Sequence, residues 1–507
     1  MNAHLAIAPL LVPFVAGVAL LALPRMPFAL ERAVSLLAVL AQAGIAVALL
    51  AAVAQGDILV YRLGDWPAPW GIVLVADRLA AAMVLITTLL ALCAAIHAGD
   101  GADRRGRHFH VLFQLQLFGL AGAFLTGDLF NLFVFFEVLL IASYGLLLHG
   151  GGADRTRAGL HYVVLNLLGS TVFLFAAGLL YASLGSLNLA DLALKASSLP
   201  PRDAGLARAG GLLLLAVFGL KAALLPLHLW LPAAYVGTAA PVAALFAIMT
   251  KVGAYAILRT ATLLFGDTGT ALANLFEPWL LPLALGTLGI GMLGALAAES
   301  LGRLAAWLVV ASVGTLLTAF TLDAGGIAAG LYYLPHGTFA TAALFLLADA
   351  IRRRRPVTAD RLTPGPDLPR HALWGGLFFV AAIAAAGLPP LSGFIAKFLV
   401  LRAAPGQPVV WSVILLCALA GVIALASAGS RLFFSSRTAD GETMQPSLPL
   451  DTAAPPTPRE LIAVGGLLGL IVALTLGAGG ALAFAQATAA QLLAPSAYVG
   501  AVLGDGP

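Results

Sequence analysis

The sequence predicts an all-α polytopic membrane protein with about fourteen transmembrane helices. Three observations carry that reading: apolar runs of spanning length succeed one another with little between them, charge is scarce, and arginines gather in alternate connections. Of the residues, 61% are hydrophobic and 10% charged, where a soluble domain carries about 25% charged residues. The mean hydropathy is +1.00. The pI of about 9.2 is no sign of nucleic-acid binding, because most basic residues fall in short connections, where they set topology.

A spanning helix needs roughly 20 mostly apolar residues. By that rule the segments fall near 5–24, 31–54, 74–97, 109–126, 129–149, 158–181 and 207–228 in the first half. They continue near 239–262, 275–298, 303–322, 327–350, 373–401, 409–431 and 460–490. The N-terminus lacks a basic leader and a small-residue cleavage site, so Leu5–Leu23 reads as the first spanning helix. Only 182–206, 351–372 and 432–459 are long enough to be real loops, and the last, polar and proline-rich, is expected to be mobile.

Seventeen arginines lie in one set of alternate connections and seven basic residues in the other. The first set is therefore expected to face the cytoplasm, with both termini on the outside. The three basic residues left over, Lys221, Lys251 and Lys397, sit at membrane depth.

The stretch Gly219–Lys251 places Lys221 in an apolar segment, interrupts it with Pro226 and Pro232, and resumes with Lys251. A lysine at the bilayer centre costs on the order of 3 kcal/mol, and proline frees backbone groups that neighbours must satisfy. Such broken helices beside intramembrane charge line ion paths in transporters. A second break, with Pro389 and Pro390, precedes Lys397. Five segments separate the breaks, so the two broken helices run in opposite directions, which points to an inverted repeat.

Glu137 sits near the middle of the fifth segment among Phe133, Phe135 and Phe136. A lone carboxylate there would protonate, so a partner is expected, and Lys221 is the natural one. The pair reads either as a switch, in which separation changes both proton affinities, or as a structural salt bridge. Lys251 has no obvious acid at its depth; a proton carrier and a side chain snorkelling to the interface are the two readings. His336, in the eleventh segment, suits a proton relay or is a buried histidine satisfied by a carbonyl. Thr338 and Thr341 follow it at helical spacing and could hold water. His228, between two prolines, is a gate or an interfacial residue. Pro226, Pro232, Pro389 and Pro390 complete the candidate gating set. No phosphate-cradling loop, catalytic carboxylate pair or metal-ligand spacing appears, and no cofactor or metal is expected. Cys93 and Cys417 lie far apart in apolar segments and fit no disulfide framework.

With these residues in view, the chain resembles the antiporter-like subunit family of respiratory complex I, and most of all the D subunits of multisubunit Mrp-type (Pha) cation/proton antiporters. The stretches that carry the likeness are TGDLFNLFVFFEVLLIASYGLLLHGG, HYVVLNLLGS, GLKAALLPLHLWLPAAYVGTAAPVAALFAIMTKVGAYAILR, YYLPHGTFATAALFLLAD and GLPPLSGFIAKFLVLR. The resemblance implies two inverted five-helix repeats and a polar axis along the membrane plane. Residues 1–108 would form an N-terminal three-helix segment, 109–262 the first repeat, 275–433 the second, and 434–507 a polar loop and C-terminal helix. It also implies roles: Glu137 and Lys221 as a modulating pair, Lys251 as central carrier, His336 in the connecting relay, Lys397 as terminal exchanger. Many relatives carry a lysine shortly after the histidine, where this chain has Thr341 or its neighbours, which would shift the connection between halves onto water.

The function so implied is proton translocation within a multisubunit Na⁺ or K⁺/H⁺ antiporter, a secondary transporter and not an enzyme, partnered by other antiporter subunits in the cell (inner) membrane. The alternatives are the same module inside a redox-driven pump, such as complex I or a membrane-bound hydrogenase, and a scaffold with vestigial charges. The scaffold predicts that replacing Lys251 is harmless.

Overall fold

The computed structural model describes residues 3–23, 25–266, 270–355, 357–363, 368–434 and 455–504. Most of the proline-rich stretch 432–459, expected to be mobile, lies outside them. Among the described residues twelve helices are long and apolar enough to cross a membrane, and two shorter apolar ones, Phe109–Leu125 and His371–Ala386, accompany them. Each expected segment coincides with a helix or a broken pair of helices.

In chain order, α1 (Ala3–Ala22) and α2 (Phe28–Val53) lead into a hairpin of β1 (Leu59–Arg62) and β2 (Val73–Ala76). Then come α3 (Arg78–Ala98), α4 (Phe109–Leu125), α5 (Leu129–Leu148) and α6 (Ala153–Leu184). A short amphipathic α7 (Leu189–Ser197) lies in the loop before α8 (Ala204–Ala222). The next segment is in pieces: α9 (Trp230–Gly237), α10 (Ala240–Phe246) and α11 (Met249–Leu263). The second half holds α12 (Glu277–Leu296), α13 (Leu301–Phe320), α14 (Ala324–Arg354), the broken pair α15 (His371–Ala386) and α16 (Ser392–Arg402), and α17 (Pro408–Gly429). The last expected segment, 460–490, is also divided, into α18 (Pro458–Leu476) and α19 (Ala478–Leu492), with α20 (Pro495–Leu503) after them.

The β-hairpin corrects the sequence reading, which took residues 74–76 of β2 into the third spanning segment. Four apolar residues in a row look alike in strand and helix. Here Asp77 sets the boundary, its carboxylate accepting from the Ala80 backbone N–H at 2.9 Å as an N-cap. Asp128 caps α5 and Asp323 caps α14 in the same way.

Burial is uneven. The eighth segment, Ala240–Leu263, is wholly enclosed, and α13 and α14 nearly so, while α1, α2 and α17 keep broad exposed apolar faces. The centre of the molecule is thus α8, α10, α11, α13 and α14, wrapped by the others. Ion pairs close both ends. At the arginine-rich end Arg353 reaches Asp349 at 2.6 Å, and Asp349 also meets His97 at 3.1 Å. Arg354 reaches Glu460 at 2.6 Å and lies over the Trp374 ring, which ties α18 to α14 and α15. At the opposite end Arg259 makes a bidentate pair with Asp77, 2.6 and 2.8 Å, flanked by the Tyr255 and Tyr498 rings.

Breaking a buried pair leaves an uncompensated charge and costs about 3–5 kcal/mol, whereas replacing both partners with apolar groups is often near neutral. Arg259→Leu should therefore lower the thermal transition of the detergent-solubilised protein markedly, and Asp77→Leu in the same chain should restore most of it. A single variant as stable as the parent would show that the pair does not hold the fold.

Candidate functional site

The first break lies not at a proline but at Ala223. This residue adopts the left-handed conformation, φ 59°, and its neighbour Leu224 donates back to the Gly219 carbonyl at 2.8 Å, which ends α8 one turn early. An alanine so placed is strained by about 1–2 kcal/mol, and nothing in the sequence flags it. Pro226 falls in the turn that follows, on the exposed side. Pro232 is the third residue of α9, where a helix needs no N–H, so it starts a helix and interrupts none.

Backbone groups freed near the break find side-chain partners. The Trp230 indole donates to Leu220 O at 3.1 Å. Leu225 N–H donates to Thr287 Oγ1 of α12 at 2.8 Å. At the next interruption the Tyr235 hydroxyl donates to Phe246 O at 2.6 Å. The break thus survives in an apolar setting because side chains replace the lost helical bonds.

Lys221 occupies the last turn of α8, where the carbonyl end of the helix dipole favours a cation. It is 5% exposed. Its ammonium donates to Asn166 Oδ1 at 3.1 Å and to Asn166 O at 3.4 Å. Glu137, partly buried on α5, instead accepts a short hydrogen bond from Ser170 Oγ, and Ser170 also reaches Asn166 O at 3.0 Å. The expected direct Glu137–Lys221 ion pair is therefore absent. The two are joined through Asn166 and Ser170, one turn apart on α6, because both side chains point at the helix between them.

Lys251 is the third residue of α11, immediately beyond the interruption at Ala247–Ile248 and not deep within an unbroken span. It is 1% exposed, which removes the snorkelling alternative. Its ammonium donates to Ser312 Oγ of α13 at 2.8 Å, and Ser312 reaches Val309 O at 2.8 Å. No acidic side chain pairs with it among the described residues. α8 and α11 meet backbone to backbone: a Cβ on Gly253 would lie 2.5 Å from Ala222 N and 2.7 Å from Phe218 O. Only glycine permits that approach, and it sets the helices of Lys221 and Lys251 side by side.

The second break is where the sequence placed it, between α15 and α16. Gly387 takes the left-handed position, φ 76°, and Leu388 donates to Ile383 O at 3.0 Å. This repeats the geometry at Ala223. Pro389 and Pro390 lie exposed in the connecting turn. Lys397, half-buried on α16, folds back and donates to Ala386 O at 2.6 Å, so it satisfies the carbonyl end of α15. His336, 2% exposed, meets Ser392 Oγ through Nδ1 at 2.9 Å.

A cavity with about 20 Å³ of room for water centres joins these groups. It is lined by Ser312, His336, Thr341, Lys397 and Cys417 among others. That is space for about one water. The serine that holds Lys251 thus opens on the same chamber as His336 and Lys397. Thr341 lines it, while Thr338 turns to Leu334 O. His228 lies apart from this line. It is buried in the turn before α9, 5.9 Å from the Trp307 ring, with Nδ1 unpartnered among the described residues.

The sequence reading passed over Asn166, Ser170, Ser312 and Ser392. The pair at 166 and 170 carries a signal, two polar residues one turn apart on a helix facing Glu137. Lone serines in spanning helices carry none.

This geometry defines a class: polytopic membrane proteins that keep a row of ionisable side chains, joined by hydroxyl and amide groups, inside an apolar helix bundle. Residues 126–424 match the family described as NADH:quinone oxidoreductase/Mrp antiporter, transmembrane. The chain belongs to that family. A probable K(+)/H(+) antiporter D subunit of Rhizobium meliloti (strain 1021) is 40% identical to it, covering 99% of this chain and 97% of the relative. The Na(+)/H(+) antiporter D subunit of Alkalihalophilus pseudofirmus is 39% identical over 79% of this chain and 80% of its own. Among solved structures, one chain of the Mrp complex from Dietzia sp. DQ12-45-1b superposes with a TM-score of 0.86 at 29% identity, over 99% of both chains. The resemblance read from the motifs is met over the full length.

Asn166→Leu removes the side-chain oxygen that holds Lys221. In the assembled protein it should reduce ion exchange as deeply as Glu137→Gln, as measured by dye-detected pH change in everted vesicles. Full activity of a normally assembled Asn166→Leu would mean that the bridge is dispensable.

Proposed function

We propose that this chain is the proton-translocating subunit of a multisubunit Na⁺ or K⁺/H⁺ antiporter, multi-pass in the cell (inner) membrane, with both termini outside the cytoplasm. It works as a secondary transporter beside other antiporter subunits. The observation that carries the reading is the shared chamber: Ser312, the sole side chain bonded to Lys251 among the described residues, opens on the same cavity as His336 and Lys397. A scaffold has no use for such a connection. The names of the full-length relatives, K⁺/H⁺ and Na⁺/H⁺ antiporter D subunits, point to the same activity. The repeats at 109–262 and 275–433 are part of this reading, supported by the matching helix ends at Ala223 and Gly387.

The residues act as follows. As an ammonium, Lys251 donates to Ser312 Oγ while the serine hydroxyl points to Val309 O. As a neutral amine it accepts from the same hydroxyl after a rotation about Cβ–Oγ. Both protonation states are thus satisfied without moving a helix. Ser170 does the same between Glu137 and Asn166 O. When Glu137 takes a proton, Ser170 turns to the Asn166 carbonyl and competes with Lys221 for it, which loosens the lysine. A proton released by Lys221 then passes to Lys251 on the adjoining helix, and through the chamber to His336 and Lys397. Pro226, Pro232 and His228 on one side, and Pro389 and Pro390 on the other, frame the access turns.

The cation is served elsewhere. Alkali ions need oxygen ligands, and lysines along the axis repel them at short range. The acids at Asp77, Asp349 and Glu460 are occupied by ion pairs. The cation path therefore belongs largely to a partner subunit or a shared interface.

Two experiments test this. Lys251→Arg and Lys397→Arg keep charge but cannot deprotonate, since the arginine pKa exceeds about 12. Each should abolish exchange in a complex that assembles normally, and an active arginine variant refutes proton carriage there. The purified subunit alone, in liposomes under a Na⁺ or K⁺ gradient, should give no saturable cation-dependent proton movement. If it does, the division of labour is wrong.

A further inference from the structure

The line of polar contacts does not stop at His336. Ser392, the first residue of α16, is held from two sides. Its Oγ meets His336 Nδ1 at 2.9 Å and Ile471 O at 3.5 Å, and its backbone N–H donates to Thr475 Oγ1 at 2.8 Å. Thr475 in turn donates to Ile471 O at 2.8 Å. Ile471 and Thr475 belong to the last turns of α18, just before the interruption at Gly477. Tyr332, one turn before His336 on α14, donates to Leu474 O at 3.2 Å.

The fit around the ring is close. A Cβ on Gly393 would lie 2.6 Å from His336 Nε2 and 2.4 Å from Ala384 O. The imidazole is therefore seated on the backbone at the start of α16 and cannot shift without moving that helix. Whatever places Ser392 places the histidine.

We propose that Ser392 and Thr475 are positioning residues for proton transfer at His336, so that the C-terminal helix α18 belongs to the conducting machinery. Thr475 caps the first N–H of α16 and fixes Ser392. The serine hydroxyl then serves the histidine in both states. It accepts from Nδ1–H of the imidazolium while its own proton points to Ile471 O. It donates to Nδ1 of the neutral ring when the remaining proton is on Nε2. The arrangement repeats Ser170 between Glu137 and Asn166 O, and Ser312 between Lys251 and Val309 O. At each of these three sites a serine oxygen lies between an ionisable side chain and a backbone carbonyl. The inference rests on the proposed conduction through His336.

The test uses the full complex in everted vesicles, with exchange rate followed against cation concentration. Thr475→Val should lower the maximum rate about tenfold, the size of effect typical when an orienting partner is lost. The half-saturating cation concentration should stay unchanged, and Thr475→Ser should restore the rate. His336→Ala combined with Thr475→Val should be no slower than His336→Ala alone. If Thr475→Val fails to assemble, Ser392→Ala carries the same comparison, since it leaves the bond from the Ser392 N–H to Thr475 in place. Wild-type rates in assembled Thr475→Val, equal defects in the Val and Ser variants, or additive loss with His336→Ala would each overturn the proposal. An unchanged rate in His336→Ala would instead strike the conduction reading itself.

Discussion

A backbone group without a partner in an apolar interior costs several kcal/mol, and the core of this molecule is arranged around that constraint. α8 and α15 both end inside the bundle, each in a left-handed residue followed by a five-residue return bond. Their terminal carbonyls are then served by Trp230 and by Lys397. The same helix ends concentrate partial negative charge, and it is there that Lys221 and Lys397 lie. The break and the buried cation support each other. The Lys397 ammonium supplies a donor that the carbonyl end of α15 needs, while Lys221 lies at the end of α8 and turns its ammonium to Asn166 on α6.

Hydroxyls solve a second problem. A group that changes protonation must be satisfied in both states, or one state is excluded by the cost of a buried unpaired atom. A fixed donor suits only one of them. A serine has one proton and two lone pairs, and with a backbone carbonyl within reach it can present either to its neighbour. Ser170 and Ser312 back-bond to carbonyls three or four residues earlier on their own helices, so each has a resting place for its proton. The proposed relay therefore needs no helix motion locally, and the close helix contact at Gly253 against Ala222 is compatible with it.

What the sequence revealed and what it hid follow from the same energetics. Glu137, Lys221, Lys251 and Lys397 were legible because a charge in a run of Leu, Ala and Phe is too costly to be accidental. The places of the apolar helices were legible from run lengths. The ends of the broken helices were not: proline pointed to 226 and 232, while the chain turns at Ala223, a residue with no sequence mark. The Asp77–Arg259 pair spans 182 positions, and nothing local marks either residue as the partner of the other. The bridge at Asn166 and Ser170 was half legible, since the two lie on one helical face but nothing local says that Lys221 turns to Asn166 and not to Glu137.

The two halves of the axis differ in a way that bears on direction of control. Between Glu137 and Lys221 the connection is made of protein atoms throughout, with each contact within hydrogen-bond reach. Between Ser312 and His336 there is a chamber with room for about one water. A bonded chain passes on the state of its first member through the competition of Ser170 and Lys221 for a single carbonyl, so protonation at Glu137 is felt at Lys221 by necessity. A water-sized gap transmits only when it is filled. In the proposed relay the first half thus senses, and the second conducts or stops. Thr341 lines the gap with a hydroxyl beside His336 and Lys397, so in the proposed relay water closes it. In the proposed relay passage depends on the occupancy of one small cavity, and the residues that shape it lie on α12, α13, α14, α15, α16 and α17 at once.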